Sequence, residues 1–446
     1  MTRKYIGVFL LAITGCWSCN KFVDTPVPAN QITPGAVFSS DGSATAALLG
    51  AYYSVGNTAG SVYLYGAFFS DELIFSGASG VSDQAMSNTY DNTSDYQFFT
   101  NFYKTIYNCN AILEALAKKN TLSDSVALLL RGECKFLRAY SHFRLMNFYG
   151  SIPLITTTNV DVTAHIGNTP VPQLYDTIVS DLKDAYAILP IAYPTADRVR
   201  ANKWAAGALL ARVYLYRKDW QDAETIAGQV ISSGVYTLPA DLNTVFQKGS
   251  TETIWQMWQQ NGFTTPGGTW LPTSATAISY YVRPGLLSAI ASGDRRLSAW
   301  LKAGTGANSN LFYPYKYKLR TTTTGATSEN LVELRLAEQY LLRAEARANQ
   351  GNVGDGLADV NTIRKRAGLA DTTVADAAGL LLTIEQQRRI EFMLEDGQRW
   401  FDLNRTGRTG YWLSAAKSTW QARDTLLPFP LTILLANPAL KQNPGY

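Results

Sequence analysis

Two stretches of the chain read as pairs of helices joined by turns so short that the helices must run antiparallel. Residues 200–217 place Trp204, Ala208, Ala211 and Leu215 on one helical stripe. Lys218 and Asp219 follow, and a second helix starts at Trp220 and runs to Ser233. The small residues Ala205, Ala208 and Ala211 let the partner helix come close. The layout returns at 335–367, with RLAEQYLLRAEARANQG as one helix, Gly351-Asn352-Val353-Gly354 as the turn, and DGLADVNTIRKRAG as the second helix. Such a hairpin cannot bury its apolar face alone, and about three must stack before the array is stable. Helical periodicity at 99–119, 123–149 and 171–189, the last bounded by Pro170 and Pro190, supplies the partners.

The remainder has a different texture. Residues 20–35 are rich in Pro and polar residues and read as a tether. Residues 43–56 look helical, while 57–98 hold many Gly, Ser, Asn and Tyr without sustained periodicity and read as a long loop region, where binding groups tend to sit. Between 236 and 330 the chain is Gly/Thr/Ser-rich with clustered aromatics (Trp255, Trp258, Trp270, Tyr280, Tyr281). TETIWQMWQQ reads as a strand, and Tyr313, Tyr315 and Tyr317, spaced by two, as one aromatic strand face. A charged helix, IEQQRRIEFMLEDG, then RWFDLNRTG and a Pro/Asn-rich extended tail close the chain. The predicted fold is therefore mainly α. Tetratricopeptide-like helical hairpins form a superhelical scaffold, packed against a loop-rich irregular region with a few short strands. The division predicted is a signal peptide at 1–15 (alternative end at 18), a tether and lead-in at 16–35, and one globular unit at 36–446. That unit comprises an N-terminal part at 36–235, a loop-rich aromatic insertion at 236–330 and a C-terminal part at 331–446.

Composition narrows the function. Hydrophobic residues make up 46% and charged residues 17%, enough for a large core and too apolar for a disordered chain. A formal charge of +4, with Arg3 and Lys4 at the very start, leaves a nearly neutral body and argues against a nucleic-acid partner. Only His142 and His165 are present, which excludes a multi-histidine metal site. Arg3 and Lys4 precede the apolar run YIGVFLLAIT, which is shorter than the roughly 20 residues needed to span a bilayer and fits an export signal. Ile13-Thr14-Gly15-Cys16 has the branched-small-small-Cys pattern of a bacterial lipobox, so Cys16 is the predicted lipidation site. Cys19, preceded by Cys16-Trp17-Ser18, is the alternative. Cys109 and Cys134 sit in helix-like segments, where they read as two small buried hydrophobes or as a pair if their Cα atoms approach within about 7 Å.

Catalytic signatures are not found. There is no GxxxxGK[ST], HExxH or GxSxG, and GNVGDG at 351–356 lies between helices instead of after a strand. Asp91-Asn92-Thr93-Ser94-Asp95 begins like a calcium loop but has Tyr96 where glycine is required. Glu391 and Glu395, four apart on a helix, read as surface ion-pair partners of Arg388 or Arg399. Arg399 and Asp402 read as pairing to fix the C-terminal segment. Trp400 and Phe401 read as structural, and Trp204, Tyr214, Tyr216 and Trp220 as hairpin core.

Several segments taken in order resemble the SusD/RagB family of nutrient-uptake outer-membrane lipoproteins: CNKFVD at 19–24, RGECKFLRAYSHFRLMNFYGSIPLI at 131–155, KWAAGALLARVYLYRKDWQDA at 203–223, LAEQYLLRAEARANQG at 336–351, DVNTIRKRAGL at 359–369, RRIEFMLEDGQRWFDLNRTG at 388–407, and the terminal LLPFPLTILLANPALKQNPGY. In that family the acylated Cys usually lies directly before a segment like NKFVD. This favours Cys19 against the lipobox argument for Cys16. The resemblance implies a lipid-anchored, cell-surface protein of the Gram-negative outer membrane. It implies a non-enzymatic protein with no cofactor, which captures an oligosaccharide or other nutrient and delivers it to a SusC-type TonB-dependent transporter. A surface glycoside hydrolase and a protein-only helical-repeat adaptor are the alternatives.

Sugar rings have apolar C–H faces that flat aromatic side chains cover, leaving Tyr O–H and Trp N–H for hydroxyls or water. Two aromatic clusters qualify as the ligand platform: Tyr63, Tyr65, Tyr90 and Tyr96 in the early loop region, and Trp270, Tyr280, Tyr281 and Trp300 in the insertion. No metal-binding residue is predicted.

Overall fold

The computed structural model describes residues 37–446, apart from positions 78, 119, 120, 323 and 325–327. Cys16, Cys19, the export signal and most of the tether lie outside the described residues. The architecture is mainly helical. The long elements are α1 (Asp41–Phe69), α2 (Gly80–Ser87), α3 (Phe98–Leu116), α4 (Asp124–Tyr149), α5 (Val171–Ile188), α6 (Lys203–Arg217), α7 (Trp220–Ser232), α8 (Leu336–Asn349), α9 (Val353–Arg366), α10 (Ala377–Glu391), α11 (Gln398–Arg405) and α12 (Thr409–Ala416). Six short strands form three two-stranded antiparallel pairs among the described residues: β1 (Leu73–Phe75) with β3 (Tyr280–Val282), β2 (Thr253–Met257) with β6 (Leu331–Arg335), and β4 (Leu301–Ala303) with β5 (Phe312–Pro314).

The helices from α3 to α10 pack successively on their neighbours, α3 on α4, α4 on α5, and so on through α9 on α10. The stack does not break where the sequence does. Helix α7 packs directly on α8, and Arg347 on α8 donates from Nε to Glu224 on α7 at 2.8 Å, although about a hundred residues separate the two helices in sequence. The intervening chain leaves the superhelix and returns to it. Local chemistry sets the hairpins: Asn202 caps α6 by accepting from the Ala205 N–H at 2.9 Å, and Lys218 ends it in the left-handed region at φ 68°. No helix among the described residues is long and apolar enough to cross a membrane.

The early loop region proves largely helical. Helix α1 runs on without interruption to Phe69, and Gly80–Ser87 forms α2. The glycines that suggested a break are close-packing positions. A Cβ on Gly60 would fall 2.3 Å from the Thr265 Oγ1. The extension carries Tyr63 onto a buried face, where its hydroxyl donates to the Val332 carbonyl.

The interior is charged at its centre. Arg335, at the end of β6, donates from Nη1 to Glu252 (2.7 Å) and Glu391 (2.6 Å) and from Nε to Glu395 (2.9 Å). Glu391 also accepts from Arg296 at 3.1 Å and from Arg366. Glu391 and Glu395 are therefore buried, not surface partners of Arg388 or Arg399, because helix α10 is covered on that side by β6 and the excursion. Burial alone would raise the Glu391 carboxyl, but Arg366, Arg335 and Arg296 together hold it well below the usual range. Arg399 pairs with Asp71 at 2.8 Å and Asp402 with Arg388 at 2.7 Å, so each ties the C-terminal segment to the body. Trp400 and Phe401 are buried as expected, and Cys109 and Cys134 are buried free thiols. His142 is also buried, and burial with the Arg138 charge lowers its pKa to about 3.

Candidate functional site

Two short strands present the half-buried aromatics Phe75, Tyr280 and Tyr281. In the β1–β3 pair, Leu73 faces Val282, Ile74 faces Tyr281, and Phe75 faces Tyr280. Side chains alternate across a strand, so Leu73, Phe75, Tyr280 and Val282 share one face while Ile74 and Tyr281 share the other. Leu73 and Val282 are buried and anchor the pair, and Phe75 and Tyr280 at the opposite end are half-buried. Their rings stack at 4.6 Å with 22° between planes, as expected of directly opposed residues.

Behind this pair lies a rigid aromatic bed. Phe68 stacks on Tyr280 at 6.4 Å. Tyr65, also half-buried, lies against Tyr96 at 4.7 Å and Phe69 at 6.4 Å. Partial burial raises the phenol pKa of both Tyr65 and Tyr280, so each is a neutral hydroxyl at physiological pH. The Tyr65 hydroxyl pairs with the Ser82 side chain on α2.

The opposite face of β3 meets a second small cluster. Tyr281 packs with Leu271, Ile278, Tyr313 and the half-buried Tyr315. Tyr315 carries two cations, Lys302 Nζ at 5.0 Å and Lys318 Nζ at 5.2 Å from its ring centre. Past β3 a cleft of about 620 Å³ opens beside Arg283, Gln386 and Trp412.

Five of the aromatics expected to face a ligand are in the core instead, Tyr63 on α1 among them. Tyr90 is fully buried and donates to the Asp424 carbonyl at 2.5 Å. Tyr96 is 5% exposed and serves as the floor under Tyr65. Trp300 is fully buried, its indole N–H donating to the Leu242 carbonyl at 3.0 Å and its ring covered by the Lys316 ammonium at 4.3 Å. Trp270 is 4% exposed, in the short helix Thr265–Trp270 that packs on α1. The physical reason is shared. The excursion is no free loop but a layer pressed onto α1 and α10, and its bulkiest rings fill that interface. Tyr313, Tyr315 and Tyr317 do not form one aromatic face either, since β5 ends at Pro314 and Tyr317 turns into the main core.

Tyr65, Tyr280 and Tyr281 thus remain at the surface, joined by residues that sequence reasoning passed over. Phe75 lay in the presumed loop, and its opposition to Tyr280 depends on strand pairing between distant segments. Trp258, just beyond β2, is 53% exposed among Gln259, Gln260 and Asn261. An exposed Trp in such a polar run was a signal open to sequence reading. No group of three or more His, Cys, Asp and Glu side chains that could hold a metal occurs among the described residues.

A family model described as starch-binding and associating with the outer membrane matches residues 53–215, and the SusD family model matches residues 258–446. The chain belongs to the SusD family. SusD-like protein P25 of Formosa agariphila is 23% identical over the whole of both chains, and SusD-like protein P2 of the same organism is 25% identical over the whole of both. Solved SusD-family structures share the fold. A SusD-like protein of Bacteroides fragilis superposes with a TM-score of 0.81 at 22% identity, over 94% of this chain and 100% of its own. A laminarin-binding SusD-like protein gives 0.80 at 24% identity, over 92% and 100%. Surface glycan-binding protein A of Bacteroides uniformis gives 0.78 at 18% identity, over 90% and 99%. The SusD family is associated with the outer membrane.

Proposed function

We propose that this SusD-family protein is a non-catalytic glycan receptor that holds an oligosaccharide against the Phe75–Tyr280 stack. The observation that carries the reading is that stack itself: two half-exposed rings, held stacked and nearly parallel by strand pairing and backed by Phe68, Tyr65 and Tyr96. A preorganised aromatic stack costs little ordering entropy when a sugar C–H face lands on its exposed part. Tyr65 and Tyr280 offer hydroxyls to the ring edges. The glycan-binding names of its relatives support the same class of ligand.

The protein sits on the cell surface, tethered through an acylated Cys16 or Cys19, and passes its ligand to a SusC-type TonB-dependent transporter. The export signal and lipobox support the anchor, and family membership supports the transporter. In this reading residues 236–330 are an insertion in the superhelix that supplies β3 and thus half of the aromatic pair. The test is binding of purified protein to a polysaccharide panel by affinity electrophoresis and calorimetry. Retardation by a glycan, lost in Tyr280→Ala and in Phe75→Ala with only a small drop in thermal melting, is expected. Release of products from the bound glycan, or binding unchanged in both variants, refutes the proposal.

A further inference from the structure

A second cleft runs along helix α10 and shares Arg389 with the cleft past β3. It encloses about 760 Å³, inside the range of roughly 300–1,000 Å³ typical of small-ligand sites. Its walls come from the α6–α7 turn, α8, α10, α11 and residues 406–408. One wall is apolar: Leu381, Leu382, Leu403 and Trp220, with Leu382 58% exposed. The other is cationic. Six cations, Lys218, Arg388, Arg389, Arg399, Arg405 and Arg408, line the cleft against three carboxylates, Glu345, Glu385 and Asp402.

The hydrogen bonds show which of these charges are already used. Arg405 is saturated, bidentate to Glu345 at 2.5 and 2.8 Å and bound through Nε to Asp402 at 2.8 Å. Arg388 gives Nε and Nη2 to Asp402 at 2.7 and 3.0 Å. Its Nη1 is buried and has no hydrogen-bond partner among the described residues, and the side chain is only 3% exposed. Leaving a guanidinium N–H of this kind unmatched is costly, so such groups mark places where an acceptor belongs. Arg408 meets only one oxygen of Glu385, at 3.1 Å, and is 34% exposed. Lys218 is exposed and makes no ion pair among the described residues, and it occupies a left-handed position, φ 68°, where glycine would be unstrained.

We propose that this cleft is a second ligand site, taking a small organic carboxylate whose body carries an apolar face. The carboxylate is attracted by Arg408 and Lys218 at the mouth and by the Arg388 guanidinium in the cleft wall, while the apolar face lies on Leu381, Leu382 and Trp220. Arginine suits a planar carboxylate because its donors match both oxygens. Two chemical sources carry this group, a peptide C-terminus and an acidic sugar, and the test separates them.

Full-length protein is titrated by calorimetry with N-acetyl-leucine and N-acetyl-leucine amide, and with digalacturonate and its carboxyl-reduced counterpart. At least one acid is expected to bind about tenfold or more tightly than its neutral partner, with affinity falling as salt rises. The acid preferred assigns the source. The double variant Lys218→Gly/Arg408→Gln is expected to weaken the acid by about tenfold, since both side chains are accessible and outside the core. Arg388→Gln is expected to abolish the preference for acid over neutral probe. Because Arg388 is buried, its thermal melt is recorded alongside, and the surface double variant carries the test if Arg388→Gln fails to fold. The proposal is overturned if neither acid saturates by about 10 mM, if acids and neutral partners bind alike, or if the double variant binds as wild type does.

Discussion

Gly66 and Gly397 meet backbone to backbone. A Cβ on Gly66 would lie 2.4 Å from the Gly397 Cα, and Gly397 itself sits at φ 65° just before α11. The contact fastens the end of α1 to the C-terminal helices; only a residue without a side chain fits at Gly66, while at Gly397 it is the left-handed backbone that favours glycine. Gly66→Ala is expected to destabilise the fold by about 1–3 kcal/mol or more, because the obstacle is main chain and cannot rotate away. Urea unfolding followed by circular dichroism measures it. A loss under about 0.5 kcal/mol means that the two segments separate easily and are not a fixed joint.

Glu391 holds three guanidiniums, those of Arg296, Arg335 and Arg366, in the protein's interior. Glu391→Gln keeps its size and removes the charge. Removing one member of a buried ion network typically costs about 3–5 kcal/mol, since the partners left behind stay desolvated without compensation. The expected result is a lowered denaturation midpoint with the ligand surface unaffected in any fraction that remains folded. A Glu391→Gln midpoint equal to wild type shows that the network is replaceable.

Tyr280→Ala and Trp300→Ala are expected to part company. Trp300 is fully buried, so truncation leaves a large cavity costing about 3–5 kcal/mol. Tyr280 is half-exposed, so its removal lowers stability much less while taking away one ring of the Phe75–Tyr280 stack and with it glycan retardation. The pair of measurements, melting and binding on each variant, checks whether the surface and core roles are separate.

Glu72 is buried with its neighbour Asp71. Burial first, and then the Asp71 charge, push its pKa from 4.5 up to about 8. The unfolded chain releases this proton near pH 4.5, and the folded chain holds it until about pH 8. Folded protein therefore binds more protons across that window, and the stability Glu72 contributes is present below it and is lost as pH rises through it. Glu72→Gln keeps a neutral acceptor for the Leu394 N–H, which Glu72 now binds at 3.2 Å. The melting temperature of Glu72→Gln minus that of wild type is expected to become more positive from pH 4.5 to pH 8.5, as read by scanning calorimetry. A difference that stays constant with pH removes Glu72 as a titrating group.

The sequence was readable wherever the deciding interactions lie a few residues apart. The hairpins at Lys218-Asp219 and Gly351-Asn352, the strand at 253–257 and the helices bounded by Pro170 and Pro190 appear close to where spacing and caps put them. The family-wide segments were equally local. Local spacing misjudged α1, because Gly60 and Gly66 look like helix breakers until Thr265 and Gly397 are seen pressed against them.

Periodicity, caps and small residues thus determined a stacked-helix scaffold and an aromatic-rich excursion, since helix formation answers to neighbours three and four positions away. Which aromatics face out was decided only by the tertiary fold. Tyr90, Tyr96, Trp270 and Trp300 carry the same ring chemistry as Tyr280, and only contacts between distant segments put the first four under a layer of protein and set Tyr280 opposite Phe75. The same holds for the charges. Glu391 on its helix looks like any solvated carboxylate, and it became the centre of a buried network because Arg296, Arg335 and Arg366 are carried to it by three other parts of the chain.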